Sequence, residues 1–287
     1  MFRGILILHM VLSALTCFSQ PDFNGLWQGF TVQKGLANEK GNPFDLNIVA
    51  KGSVLTGQSR EEYFETTQMA IKAIKGSSKG QTINITQGAI ETSANIKGKN
   101  LCAIDIALTW NETTGYLEGT YVSPTCRSVM GKIILFRSTA VFSKQAEPLV
   151  RHNWFNRFII DLKKGYASPE YRKKERDAFV FQTVYFDYDS FTIDAKYNDY
   201  LKKMARIIDG HSDLRVLVTG HTDADGSNQY NIDLSKKRAQ SIIHFFELNG
   251  IDSSRIQIDF KGETQPVDSN TTPEGKKRNR RVDFVFI

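Results

Sequence analysis

The sequence predicts an α+β two-domain protein: an antiparallel β-barrel of about eight strands, then an α/β sandwich with one helical layer. Three observations carry this expectation. Between Pro21 and Phe142, short runs rich in Val, Ile, Leu, Thr and aromatic residues recur between clusters of Gly, Asn, Ser and Thr. From Phe179 onward, strand-like runs alternate with long stretches of helical period. Between these regions, residues 143–178 pass from helical spacing to dense charge. The expected boundaries are a leader over 1–19, a barrel over 20–142, a helical and charged linker over 143–178, and a second domain over 179–287.

The leader has Arg3 and then an apolar run from Gly4 to Phe18, broken by His9 and followed by Ser19. That run is shorter than the ~20 residues that span a bilayer, so it reads as a cleaved export signal. The rival expectation is lipidation at Cys17, which Ala14-Leu15-Thr16 fits poorly because a small residue belongs directly before the cysteine. Export places the mature chain in an oxidising compartment, where the two remaining cysteines, Cys102 and Cys126, form a candidate disulfide; two buried thiols are the alternative.

The barrel strands are expected over 26–32, 44–51, 54–59, 69–75, 82–87, 101–110, 117–122 and 132–137. Most are shorter than the about 9–11 residues of a transmembrane strand, and they carry Lys51, Lys72, Lys75 or Asp105, which favours a barrel in water. The stretch contains no histidine, no nucleophile–base pair, no metal triad and no phosphate loop, so no enzyme, cofactor or metal is expected. In the next segment Trp154, Phe155, Phe158, Ile159 and Leu162 fall on a helical face. The almost wholly polar stretch from Pro169 to Arg176 reads as a solvated linker that gives the second domain reach.

The second domain reads as a strand near Val184, a helix over 195–208, a strand over 214–219, a helix over 230–248, and strands over 256–260 and 282–287. The joint from Val218 to Arg238 is its most informative part. Its strand breaks at Gly220, and a loop dense in Asp, Gly, Ser and Asn leads into the helix. The loop offers an acid, Asp223, and the helix offers Arg238 in phase with Leu234 and Ile242 on its packed side. An acceptor for N–H groups beside a guanidinium fork suits a ligand end bearing both an ammonium and a carboxylate. His221 and Asp223 lack a third ligand at usable spacing, so a structural role for His221 is the better expectation.

Gly220-His-Thr-Asp-x-x-Gly, Tyr230-Asn231, Leu234-Ser235 and Arg238-Ala239 resemble the signature of the OmpA-like peptidoglycan-binding family. Upstream, Val184-Tyr-Phe-Asp-Tyr-Asp189 is similar to the family's first strand. Gly262-Glu263, Pro266, Glu274-Gly275 and Asn279-Arg-Arg-Val-Asp283 are similar to its ending. The resemblance implies noncatalytic binding of the diaminopimelate side chain on peptidoglycan stems. It would place Asp223 on the ammonium and Arg238 on the carboxylate, with Asn231, Thr222 and Asp189 lining the site and Arg280, Arg281 or both closing it. Where the family often has Asn or Lys, this chain has Tyr188-Asp189, which adds negative charge near the ammonium. More loosely, Gly25-Leu26-Trp27 and Leu135-Phe136-Arg137 resemble the opening Gly-x-Trp and late arginine of the calycin superfamily, which implies Trp27 plugging the barrel with Arg137 stacked on it.

The chain is 40% hydrophobic and 24% charged with a formal charge of +6, a modest basic excess that suits an anionic cell-envelope setting. No nucleic-acid motif accompanies that excess. The expectation is a periplasmic protein associated with the outer membrane and peptidoglycan, whose barrel binds an envelope partner or the membrane. The alternative is a wall-localised enzyme or small-ligand-binding protein with the barrel as its active module. A flagellar-stator-type anchor would require a membrane-spanning helix, which the sequence does not offer.

Overall fold

The computed structural model describes residues 21–63, 66–95, 101–145 and 153–287; the leader and Cys17 lie outside them. The chain forms two compact units, one comprising Met1–Glu112 with Tyr116–Asn156 and the other Thr113–Gly115 with Arg157–Ile287.

In the first unit, β1 (Gly25–Gln33), β2 (Asn42–Lys51), β3 (Val54–Glu62), β4 (Met69–Lys79), β5 (Thr82–Ala94), β6 (Asp105–Asn111), β7 (Tyr116–Val122) and β8 (Met130–Ser138) follow one another around a closed barrel. Every pairing is antiparallel, and β8 returns to β1 in the register Trp27 to Arg137. Period-two alternation fills the interior: Trp27, Phe44, Leu46, Ile48, Ile83, Ile85, Ile106, Leu117, Ile133 and Leu135 are all buried in one cluster. Gly29 is required by crowding, since a side-chain carbon there would collide with the Ile134 carbonyl. The Arg137 guanidinium lies 4.7 Å from the centre of the Trp27 ring, and the Trp27 indole N–H donates to the Phe23 carbonyl at 3.0 Å. The strand expected over 101–110 begins later, at Asp105. Ahead of it, Ile104 donates its N–H to the Gln87 side chain, and its carbonyl accepts from the Gln87 N–H. Cys102 and Cys126 are joined as a disulfide. Phe30 and Phe136 project from the barrel and are met edge-to-face by Phe155 and Trp154 from the start of α1 (Asn153–Lys163).

The charged stretch expected to be a solvated linker forms α2 (Pro169–Asp177), within the second unit. Pro169 begins the helix, and Glu170–Lys174 at 2.7 Å and Lys173–Asp177 at 3.2 Å pair one turn apart. Arg172 reaches back to the buried Asp161 of α1 at 2.6 Å, so this part of the segment is folded helix rather than loose spacer.

The second unit contains a four-stranded sheet in the order β11-β10-β12-β9, from β9 (Val184–Tyr185), β10 (Val216–Gly220), β11 (Ile256–Phe260) and β12 (Arg281–Phe286). β10 runs parallel to β11 and antiparallel to β12. Helices α3 (Asn198–Gly210) and α4 (Asn228–Leu248) share one core with the sheet through Leu201, Met204, Ile208, Ala239, Ile242, Val216, Val218 and Val282. A short helix, α5 (Pro273–Asn279), was not expected from apolar period because its seven residues include little apolar content. It starts on a capped Thr272, whose hydroxyl accepts from the Gly275 N–H, and on Pro273.

Candidate functional site

The site forms where β10 hands over to α4. Gly220 allows the strand end to touch the helix, since any side-chain carbon there would collide with the Ser235 carbonyl. The Ser235 hydroxyl accepts from the Gly262 N–H at 3.0 Å, and the Gly262 carbonyl accepts from the Thr222 N–H at 2.9 Å. The loop 221–227 is thereby pinned beside the first turns of α4, whose N-cap Ser227 accepts from the Tyr230 N–H.

Asp223 is buried. Its Oδ2 accepts from Arg280 Nη1 at 2.8 Å and its Oδ1 from the Asp225 N–H at 3.3 Å. Arg238 is fully buried. It donates to the carbonyls of Ser190 (2.8 Å), His221 (2.9 Å) and Asp187 (3.2 Å), with its guanidinium 5.4 Å from the centre of the Phe186 ring. Burial brings its pKa down to about 10, against the raising influence of Asp223, so it stays charged at neutral pH. A guanidinium has five N–H donors, and these three bonds leave capacity for a further acceptor.

Around this pair, Thr222 and Asn231 are buried, and neither Thr222 Oγ1 nor Asn231 Oδ1 has a hydrogen-bond partner among the described residues. The Asn231 amide nitrogen donates to the Glu263 carboxylate, which leaves the amide oxygen directed elsewhere. Asp189 has a left-handed backbone, φ 52°, and its carboxylate accepts from the Tyr230 hydroxyl.

The two arginines at the end of α5 diverge. Arg280 joins Asp223 and also donates to the Phe186 carbonyl at 3.2 Å. Arg281 instead pairs with Asp283 at 2.8 Å and donates to the Gln265 carbonyl. It stands among the charges around His221, whose pKa is lowered to about 4 by burial, with Arg281 adding to the fall. Consecutive residues of extended backbone face opposite ways, so one of the pair turns toward Asp223 and the other away. The structure therefore brings together Asp223, Arg238, Asn231, Thr222 and Arg280, with Asp189 held by Tyr230, and it directs Arg281 to a different cluster.

Tyr230 and Glu263 stand in the motif but carry no role that spacing alone assigns. Nor does spacing point to Lys276, which holds the loop by a 2.6 Å pair with Asp225, or to Asn270, which accepts from the Ala224 N–H and from the Asn279 amide. No group of three or more His, Cys, Asp or Glu side chains with metal-holding geometry occurs among the described residues.

A four-stranded sheet with two long helices, carrying a buried acid and buried arginine at a strand–helix joint, defines an OmpA-like domain, and residues 185–280 match the OmpA family model. The similar proteins include a "Peptidoglycan-associated lipoprotein" of Buchnera aphidicola subsp. Baizongia pistaciae, 30% identical over 36% of this chain and 60% of that protein. "Outer membrane protein A" of Bordetella avium is 36% identical over 36% of this chain and 54% of its own length. This chain thus spans little more than half the length of these relatives. Among solved structures, the peptidoglycan-associated lipoprotein from Burkholderia pseudomallei is 29% identical, covering 37% of this chain and 90% of that one, with a TM-score of 0.36.

Proposed function

We propose that this protein tethers the cell envelope to peptidoglycan without catalysing a reaction, by gripping the free zwitterionic end of diaminopimelate on the stem peptide. The observation that carries this reading is a buried carboxylate, Asp223, and a buried guanidinium, Arg238, in one site with Thr222 Oγ1 and Asn231 Oδ1, which have no hydrogen-bond partner among the described residues. In this reading Asp223 receives the ammonium and Arg238 uses its remaining donors on the carboxylate, while Thr222 and Asn231 supply further polar contacts. The names of the two relatives support a wall and outer-membrane setting. The mature protein would work in the periplasm, with its barrel engaging an envelope partner or the outer membrane.

The test is a pull-down on purified peptidoglycan. Asp223→Ala should weaken retention by at least about thirtyfold, because removing one partner of a buried charge pair costs roughly 2–5 kcal/mol. Arg238→Ala should do likewise. Wild-type retention by Asp223→Ala protein that melts normally would end this reading.

A further inference from the structure

Asp223 has a cation on it. Arg280 Nη1 lies 2.8 Å from Asp223 Oδ2, and the side chains are 13% and 6% exposed. A carboxylate this buried is costly without a partner, and Arg280 supplies one. The two arginines are held differently. Arg238 is fixed by three backbone carbonyls and is fully buried, whereas Arg280 has one carbonyl, that of Phe186, besides its bond to Asp223. Arg280 also sits at the C-cap of a seven-residue helix, where a side chain can swing without disturbing an element interior.

Resting on the diaminopimelate reading above, we propose that Arg280 is an internal stand-in for the ligand's ammonium, that capture is an exchange of cations at Asp223, and that Arg280 thereby sets selectivity for a zwitterionic ligand end. An ammonium arriving at Asp223 competes with the Arg280 guanidinium for the same oxygen. Once displaced, Arg280 stands near Arg238, and two guanidinium groups without an added anion repel one another. A ligand that brings its own carboxylate beside the ammonium sets an anion between the two arginines and offsets their repulsion. A ligand with an ammonium alone displaces Arg280 and leaves it unpaired. The Arg280–Asp223 pair is therefore a barrier that an amine by itself does not overcome.

The experiment compares soluble tetrapeptide stems carrying either meso-diaminopimelate or lysine at the third position, by calorimetry on the full mature protein. Wild type should bind the diaminopimelate stem and discriminate against the lysine stem. In Arg280→Gln, Asp223 is no longer occupied. Lysine-stem affinity should rise on the order of tenfold while diaminopimelate-stem affinity stays level or falls, so the preference narrows by about tenfold or more. Arg280→Lys keeps a cation on Asp223 but loses the planar fork, so it should narrow the preference only through weaker diaminopimelate binding. An unchanged preference in Arg280→Gln, or an equal loss for both stems, would overturn the exchange. Should Arg280→Gln fail to fold, Arg280→Lys decides, since a merely structural arginine predicts parallel losses for the two stems. Wild type that binds neither stem would instead refute the diaminopimelate reading itself.

Discussion

Both units bury charge, but they complete it differently. Inside the barrel, the Lys72 ammonium pairs with Glu61 and donates to Gln87 Oε1 at 3.1 Å and the Cys102 carbonyl at 2.7 Å, while the Gln87 amide donates to the Ser59 hydroxyl at 2.9 Å. Cation, carboxylate and amide answer one another there. In the OmpA-like domain, Asp223 is answered by a loosely held arginine, Arg238 by neutral carbonyls, and Thr222 Oγ1 and Asn231 Oδ1 by nothing among the described residues. A buried polar group that is completed internally specifies a core, while one left with bonding capacity marks a place for a ligand. Burial and charge alone do not separate the two cases; the partners in ion pairs and hydrogen bonds, taken together, do.

The largest expected effect breaks the completed cluster. Lys72→Met leaves Glu61 buried without its cation and should lower barrel stability by about 3–5 kcal/mol, whereas Lys72→Met with Glu61→Leu should recover most of that loss. Burial already raises the Glu61 pKa despite the opposing pull of Lys72. A carboxyl whose folded value is raised favours the native state below its ordinary value and loses that contribution as pH rises through the folded value. The single variant should therefore regain stability on acidification, as read by the melting temperature of the barrel transition. A loss within the roughly 0.5 kcal/mol typical of surface changes would show that the cluster does not support the fold.

The sequence displayed the barrel because side-chain alternation is a local signal. Phe44, Leu46 and Ile48 announce their strand without knowledge of its neighbours. It displayed Asp223 and Arg238 through the motif around them. It concealed α2 because Pro169 to Asp177 has no buried face, and its helix rests on Pro169 at its start and on pairs one turn apart. Arg280 and Arg281 could not be told apart either, because which of two adjacent arginines meets Asp223 depends on where α5 ends and β12 begins. Local spacing is equally silent on Glu263, whose link to Asn231 joins residues 32 positions apart.

A middle-sized effect separates the two units by redox chemistry. The bond between Cys102 and Cys126 closes a loop with a sequence separation of 24, and such bridges contribute roughly 2–4 kcal/mol. Reduction should lower the barrel transition and leave that of the OmpA-like domain in place. Because the Cys102 carbonyl also receives the Lys72 ammonium, reduction and Lys72→Met should not be additive. Equal shifts of both transitions on reduction, or independent effects of reduction and Lys72→Met, would contradict this coupling.

The smallest effect separates the units by pH. The barrel stretch from Pro21 to Phe142 contains no histidine, whereas His221 lies beside the OmpA-like site, with its ring Nε2 3.6 Å from Asp283 Oδ2 and its carbonyl accepting from Arg238. Burial lowers its pKa from 6.5 to about 4. A histidine with a depressed folded value is held neutral in the native state, so its contribution is complete above 6.5 and declines as pH falls toward 4, where the unfolded chain takes up the proton first. Between about pH 7 and 5 the OmpA-like transition should move down by a few degrees, and His221→Gln should flatten that dependence. Protonation of the folded protein would also place a cation beside Arg281 and near the carbonyl that fixes Arg238, so retention on peptidoglycan should weaken only below about pH 5, as the folded value is approached. A melting temperature that does not respond to pH in this range, or an unaltered slope in His221→Gln, would remove His221 from the account and leave the pH response of the site to its carboxylates.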